Sequence, residues 1–133
     1  GFDLKSELSR QILEKGYFLK DIGTFTKDRC NYNEVGQSLA KKMLSGDYEF
    51  GILICGTGVG MSIAANRIKG IRAVCCSEQF SAIMSRRHND SNVLCLGSRI
   101  VAKEYAIKIL DDWLITTFDG ERHKSRIEAL DKN

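Results

Sequence analysis

The chain has 133 residues, of which 43% are hydrophobic and 28% charged, a balance that suits one globular domain over residues 1–133 and argues against disordered, collagen-like and membrane-embedded classes. Its net charge of +3 is dispersed rather than gathered in a basic stripe, and no apolar run approaches the roughly 18 residues of a membrane span, so neither nucleic acid nor a membrane is an expected partner. The five cysteines (Cys30, Cys55, Cys75, Cys76 and Cys95) are odd in number, two are adjacent and none form a C-x-x-C pair, so a disulfide framework and a zinc site are not expected and a reducing cytoplasm fits.

The opening residues, GFDLKSELSR, lack the long apolar core of a secretory signal. Leu4, Leu8, Ile12 and Leu13 are spaced for one face of a helix that Gly16 ends. Residues 17–22 read as a short mixed strand and residues 24–33 as a polar loop. Residues 35–44 have helical periodicity through Leu39, Met43 and Leu44, closed by Gly46. Residues 50–55, Phe-Gly-Ile-Leu-Ile-Cys, are apolar without alternation, as a parallel strand buried on both faces should be. A helix over 61–68, a strand over 72–76, a helix over 79–87 and a buried strand over 93–96 follow. An amphipathic helix over 102–118 and a last helix over 122–130 complete the chain. Cys75, Cys76 and Cys95 lie in short apolar runs, where cysteine usually serves as a small buried hydrophobe.

Strands alternating with helices predict right-handed βαβ units around a parallel sheet, an α/β fold. Ligands in such sheets bind beyond the carboxyl ends of the strands, so the loops after Cys55, Cys76 and Leu96 should face the ligand.

The strongest chemical signal is Cys55-Gly56-Thr57-Gly58-Val59-Gly60-Met61-Ser62, between a buried strand and a helix. Glycines let backbone N–H groups approach an anion closely, and the helix that follows points its positive end at the same place. A thiol beside a helix N-terminus ionises more readily than a free one, which suits it to act as base or nucleophile. A plain tight turn with a structural cysteine reads equally well. The Walker pattern fails at Met61, and the dinucleotide fingerprint fails from either Gly56 or Gly58, although Glu78 lies where that fingerprint keeps its ribose-binding acid.

Two further clusters stand apart from the loop. In Ser85-Arg86-Arg87-His88-Asn89-Asp90, His88 is one of only two histidines and precedes a strand in a polar segment. It suits acid–base work near neutral pH, and equally a solvated helix end. In the run from Asp119 to Arg126, Arg122 and Arg126 are four apart and share a helical face, a clamp for a phosphate dianion or a plain basic surface. Tyr32 is a weaker candidate for sugar contact.

Taken together, Cys-Gly-Thr-Gly-x-Gly-Met-Ser-Ile-Ala-Ala-Asn, Arg-His-Asn-Asp-x-Asn-Val-Leu-Cys-Leu-Gly-Ser-Arg and Phe-Asp-Gly-Glu-Arg-His-x-x-Arg resemble ribose-5-phosphate isomerase type B, in order and over essentially the whole chain. The resemblance implies a three-layer Rossmann-like (flavodoxin-like) fold, helices on both faces of the sheet. It implies a cytoplasmic isomerase of the pentose phosphate pathway interconverting D-ribose 5-phosphate and D-ribulose 5-phosphate, without cofactor or metal. Galactose 6-phosphate is the alternative substrate within the family, and a non-catalytic nucleotide- or phosphate-binding module is the alternative outside it. By the same resemblance, Cys55 moves the proton between C1 and C2, Thr57 assists, and the Gly56, Gly58, Val59 and Gly60 loop holds the enediolate. His88 opens the sugar ring beside Asn89, while Arg122, Arg126 and Arg99 hold the phosphate and Tyr32 lines the pocket. The site is shared in a homodimer or tetramer, the C-terminal helix reaching toward a partner subunit. Members of the family begin with a strand ending Asp-His-Ala, whereas this chain begins Gly1-Phe2. The expectation is that the first strand is missing from a longer natural protein; were the chain natural as given, it would be a weak or inactive isomerase. The segment Asn31-Tyr32-Asn33-Glu34 also lacks the family's proline.

Overall fold

In the computed structural model, residues 2–23 and 31–132 are described. Among them run the helix α1 (Phe2–Glu14), the helix α2 (Tyr32–Met43), the strand β1 (Gly51–Cys55) and the helix α3 (Val59–Asn66). The strand β2 (Ala73–Cys75), the helix α4 (Gln79–Asn89), the strand β3 (Val93–Gly97) and the helices α5 (Lys103–Ile115) and α6 (Arg122–Leu130) follow.

The sheet is parallel, in the order β1-β3-β2. β3 is central, pairing Gly51 to Val93 through Cys55 to Gly97 on one side and Cys75 to Cys95 on the other. Its side chains alternate between two cores. Leu94 and Leu96 enter one with α1, α4 and α5, built around Leu8, Ala82, Ile109, Leu110 and Trp113. Val93 and Cys95 enter the other with α2 and α3, built around Ala40, Met43, Leu53, Met61 and Ala65. This three-layer α/β arrangement is why β3 is apolar at each of its first four positions; burying each large side chain contributes about 1.5–3 kcal/mol. A buried polar chain ties α4 and α5 to the start of β3: Trp113 Nε1 donates to Ser91 Oγ at 2.8 Å, Ser85 and Ser91 share a hydrogen bond of 2.8 Å, and Arg86 donates to the Ser91 carbonyl.

Four expectations shift. Residues 17–22 form no strand, because no described strand lies beside them to complete a ladder. Phe18 there is 83% exposed and stacks on Tyr48, and Asp21 pairs with Lys5 at 3.1 Å. Of the expected loop over 24–33, residues 24–30 lie outside the described residues, and Tyr32 and Asn33 belong to the first turn of α2. Asn31 begins that helix by accepting from the Asn33 N–H at 3.0 Å. α4 runs two residues past its expected end, so His88 and Asn89 are helical, and Asp90 closes the helix in a left-handed conformation. α5 is shorter than expected, ending where Thr116 turns extended.

Candidate active site

At the carboxyl end of β1 the chain turns sharply through Gly56 and Thr57 into α3. The turn needs Gly58, whose φ of +83° is left-handed and whose Cα leaves no room for a Cβ against Cys75 Sγ (2.9 Å) and the Leu96 carbonyl carbon (3.0 Å). Gly58 turns its N–H back onto Cys55 Sγ at 3.1 Å. Thr57 Oγ1 accepts from the Val59 N–H at 3.3 Å, and both side chains are exposed. The loop after β3 locks this turn. Ser98 donates to the Cys55 carbonyl from its N–H (2.8 Å) and hydroxyl (3.3 Å), and the Arg99 N–H donates to the Gly56 carbonyl at 3.0 Å. The Arg99 side chain lies over Gly56, and the Tyr32 ring lies against Gly60 so closely that a Cβ there would be 2.9 Å from it. Beside them, Tyr32, Gly60, Ile63 and Arg67 help line a cleft of about 400 Å³ between the start of α2 and α3.

Cys55, Gly56, Thr57, Gly58, Val59, Gly60, Arg99 and Tyr32 are thus gathered at the carboxyl end of the sheet. His88, Asn89, Arg122 and Arg126 are not with them. α4 runs antiparallel to the strands, and its last turn delivers the chain to the start of β3. The length of β3 alone, about 13 Å at the usual rise per residue, separates that end from Cys55. Here α6 begins against α4: the Asp119 N–H donates to the Arg87 carbonyl at 3.0 Å, Arg87 pairs with Asp119 at 3.2 Å, and His88 stacks on His123 with ring centroids 4.4 Å apart and 13° between planes. Arg122 and Arg126 are exposed on α6, as their spacing predicts.

Three residues of this arrangement escaped sequence reasoning. Ser98 shows no signal beyond its place after β3. His123 lies between the two arginines, yet its burial could not be read from a polar run. Burial first, then the nearby charges of His88, Arg122 and Arg126, hold its pKa below the usual histidine range, with Asp119 opposing. Cys75 was expected to be buried and is exposed, because its strand ends there beside the turn. Cys76 and Cys95 are buried as expected. Burial, helped by Cys75 and Glu78, pushes the Cys76 thiol up to about 12, and burial likewise raises Cys95, so both stay protonated.

Residues 1–130 match the Ribose/Galactose Isomerase family. Ribose-5-phosphate isomerase B of Escherichia coli (strain K12) is 48% identical over 130 residues, covering 98% of this chain and 87% of that protein. The solved structure of Clostridium thermocellum ribose-5-phosphate isomerase B superposes with a TM-score of 0.97 at 42% identity, over 99% of this chain and 89% of that one. The Mycoplasma genitalium enzyme, solved with bound ribulose-5-phosphate, superposes with a TM-score of 0.93 at 39% identity, over 98% of this chain and 87% of that one. With the glycine turn and its cysteine in place on a three-layer parallel sheet, and identity spread over nearly its whole length, this chain belongs to the ribose/galactose isomerase family.

Proposed function

We infer that this protein is an aldose–ketose isomerase that interconverts D-ribose 5-phosphate and D-ribulose 5-phosphate, a step of the pentose phosphate pathway. The observation that carries the reading is the near-full-length identity to the Escherichia coli enzyme, and the ribulose-5-phosphate held by the Mycoplasma genitalium relative supports it. The chemistry asks for a base next to a carbonyl and for donors where negative charge builds on oxygen. Cys55, as thiolate, takes the proton from C2 of the open-chain aldose and returns it to C1, while the hydroxyl proton of O2 passes to O1, leaving the carbonyl at C2. Thr57 assists, and the turn from Gly56 to Gly60, at the positive end of α3, stabilises the enediolate between the two proton transfers. Arg122 and Arg126 grip the phosphate, and Arg99 completes the grip from beside Gly56. His88 opens the ring, with Asn89 contacting the sugar and Tyr32 forming a wall.

The separation of the two groups supports a reading in which they meet between protomers. A homodimer in which the Cys55 end of one subunit faces the His88–Arg122–Arg126 end of another would complete each site, with residues 1–133 acting as one domain and α6 presented to the neighbour. A cytoplasmic setting suits the four free thiols among the described residues.

The test is an isomerase assay across a panel of aldose phosphates that includes ribose 5-phosphate and galactose 6-phosphate. Ribose 5-phosphate should give the highest kcat/KM; preference for galactose 6-phosphate would move the substrate assignment within the family. Cys55→Ala should lower kcat by about 100- to 10,000-fold while ribose 5-phosphate still binds by calorimetry. Arg126→Ala should instead raise KM with kcat little changed.

A further inference from the structure

We propose that Cys75 is a positioning residue for Cys55, acting through the one peptide unit that joins Thr57 to Gly58. The proposal rests on the reading of Cys55 as the base. The carbonyl of Thr57 accepts from the Cys75 thiol at 3.4 Å, and the N–H of Gly58, in the same peptide plane, donates to Cys55 Sγ at 3.1 Å. No peptide bond among the described residues is cis, so this C=O and N–H point in opposite directions within the peptide plane and the two thiols bracket the unit end to end. A donor on the carbonyl oxygen polarises an amide and strengthens its N–H as a donor. Cys75 therefore improves the hydrogen bond that favours the Cys55 thiolate.

The peptide has little freedom to evade this. A Cβ on Gly97 would lie 2.6 Å from the carbonyl carbon and oxygen of Thr57, and one on Gly58 would meet Cys75 Sγ at 2.9 Å, so the plane is wedged between the end of β3 and the Cys75 side chain. Direct bonding of the two sulfurs does not compete. Cys55 and Cys75 sit on the outer strands with β3 between them, about 9–10 Å apart laterally, beyond the Cα separation a disulfide spans. Burial, and behind it the charge of Cys55, raises the Cys75 thiol, which keeps it in the protonated form that donates.

The experiment compares the wild-type protein with Cys75→Val, which keeps bulk but loses the donor, Cys75→Ala, a second donor-free variant, and Cys75→Ser, which keeps a donor. Iodoacetamide labelling of Cys55 at pH 7 is followed by peptide mass spectrometry, since trypsin cuts at Arg67, Lys69 and Arg72 between the two cysteines. The pH profile of kcat/KM is recorded alongside. Losing the donor should slow labelling of Cys55 about two- to fivefold and carry the rising limb of the profile to higher pH, and Cys75→Ser should restore both. Equal labelling rates in wild type and both donor-free variants, or a Cys75→Ser protein that behaves like them, overturns the proposal. Slower labelling with an unmoved kcat/KM limb upholds the coupling and removes Cys55 from the base role instead.

Discussion

At Gly97 the absence of a side chain lets the Thr57 backbone close over the end of β3. A Cβ there would lie within 2.6 Å of that backbone, which has no flexible end to move aside. Gly97→Ala should therefore cost about 3 kcal/mol in urea unfolding, the upper range for overpacking. It should also lose far more activity than Gly23→Ala, whose Cβ would make only ordinary contacts at 3.8 Å. An intact kcat in Gly97→Ala would show that the turn does not need its present seat. The sequence marks this site unevenly. Cys55, Gly56, Gly58 and Gly60 stand out as alternating glycines between an apolar strand and a helix, although that pattern fits a plain tight turn equally well until the other motifs are read with it. Ser98 and Cys75 do not, since what they touch depends on strand order, and β1 meets β3 in space 42 residues along the chain, Gly51 against Val93.

Between elements, the junction of α4 with α6 is the one most exposed to pH. His123 is buried against His88, with Arg122 and Arg126 adding positive potential and Asp119 partly offsetting it, so its folded-state pKa lies below the ordinary 6.5. Above that value both folded and unfolded chains hold it neutral and its contribution is complete. As pH falls through 6.5 the unfolded chain takes the proton first, and stability declines until the folded histidine also protonates. The urea midpoint should drop between pH 7.5 and 5.5, and His123→Gln should remove part of that slope; an unchanged slope would refute the coupling. Element boundaries were legible to within two or three residues where caps and apolar periods coincide, as in α1, β1 and α6. They were misread where local signals are silent. The polar run ending α4 looks like a loop, but Arg86, pinned to the Ser91 carbonyl and lying over the Phe50 ring, holds its last turn helical. Residues 17–22 carry strand composition, yet composition cannot supply a neighbour to bond with.

For the whole molecule, the decisive feature is that thiol and paired cations occupy opposite ends of one sheet. Under the shared-site proposal, Cys55→Ala and His88→Ala damage different halves of each site. Two inactive variants, mixed and allowed to exchange subunits, should regain activity approaching a quarter of wild type, because half of the pairs are hybrids and each hybrid holds one intact site. A mixture no more active than its parents would mean that each site is built from one chain. The parallel sheet was legible from the alternation of strands and helices, and the family resemblance implied three layers and a site shared between subunits, but composition and spacing alone did not show the division. Motif order along a chain says nothing about which end of a sheet each motif reaches. Under the same proposal the division also ties output to association. A protomer so arranged is two half-sites facing away from each other, and it completes neither by itself. Specific activity should therefore fall on dilution below the dissociation constant of the pair. The cell would then hold an enzyme whose rate climbs faster than its own concentration when the protein is scarce and in simple proportion once it is plentiful.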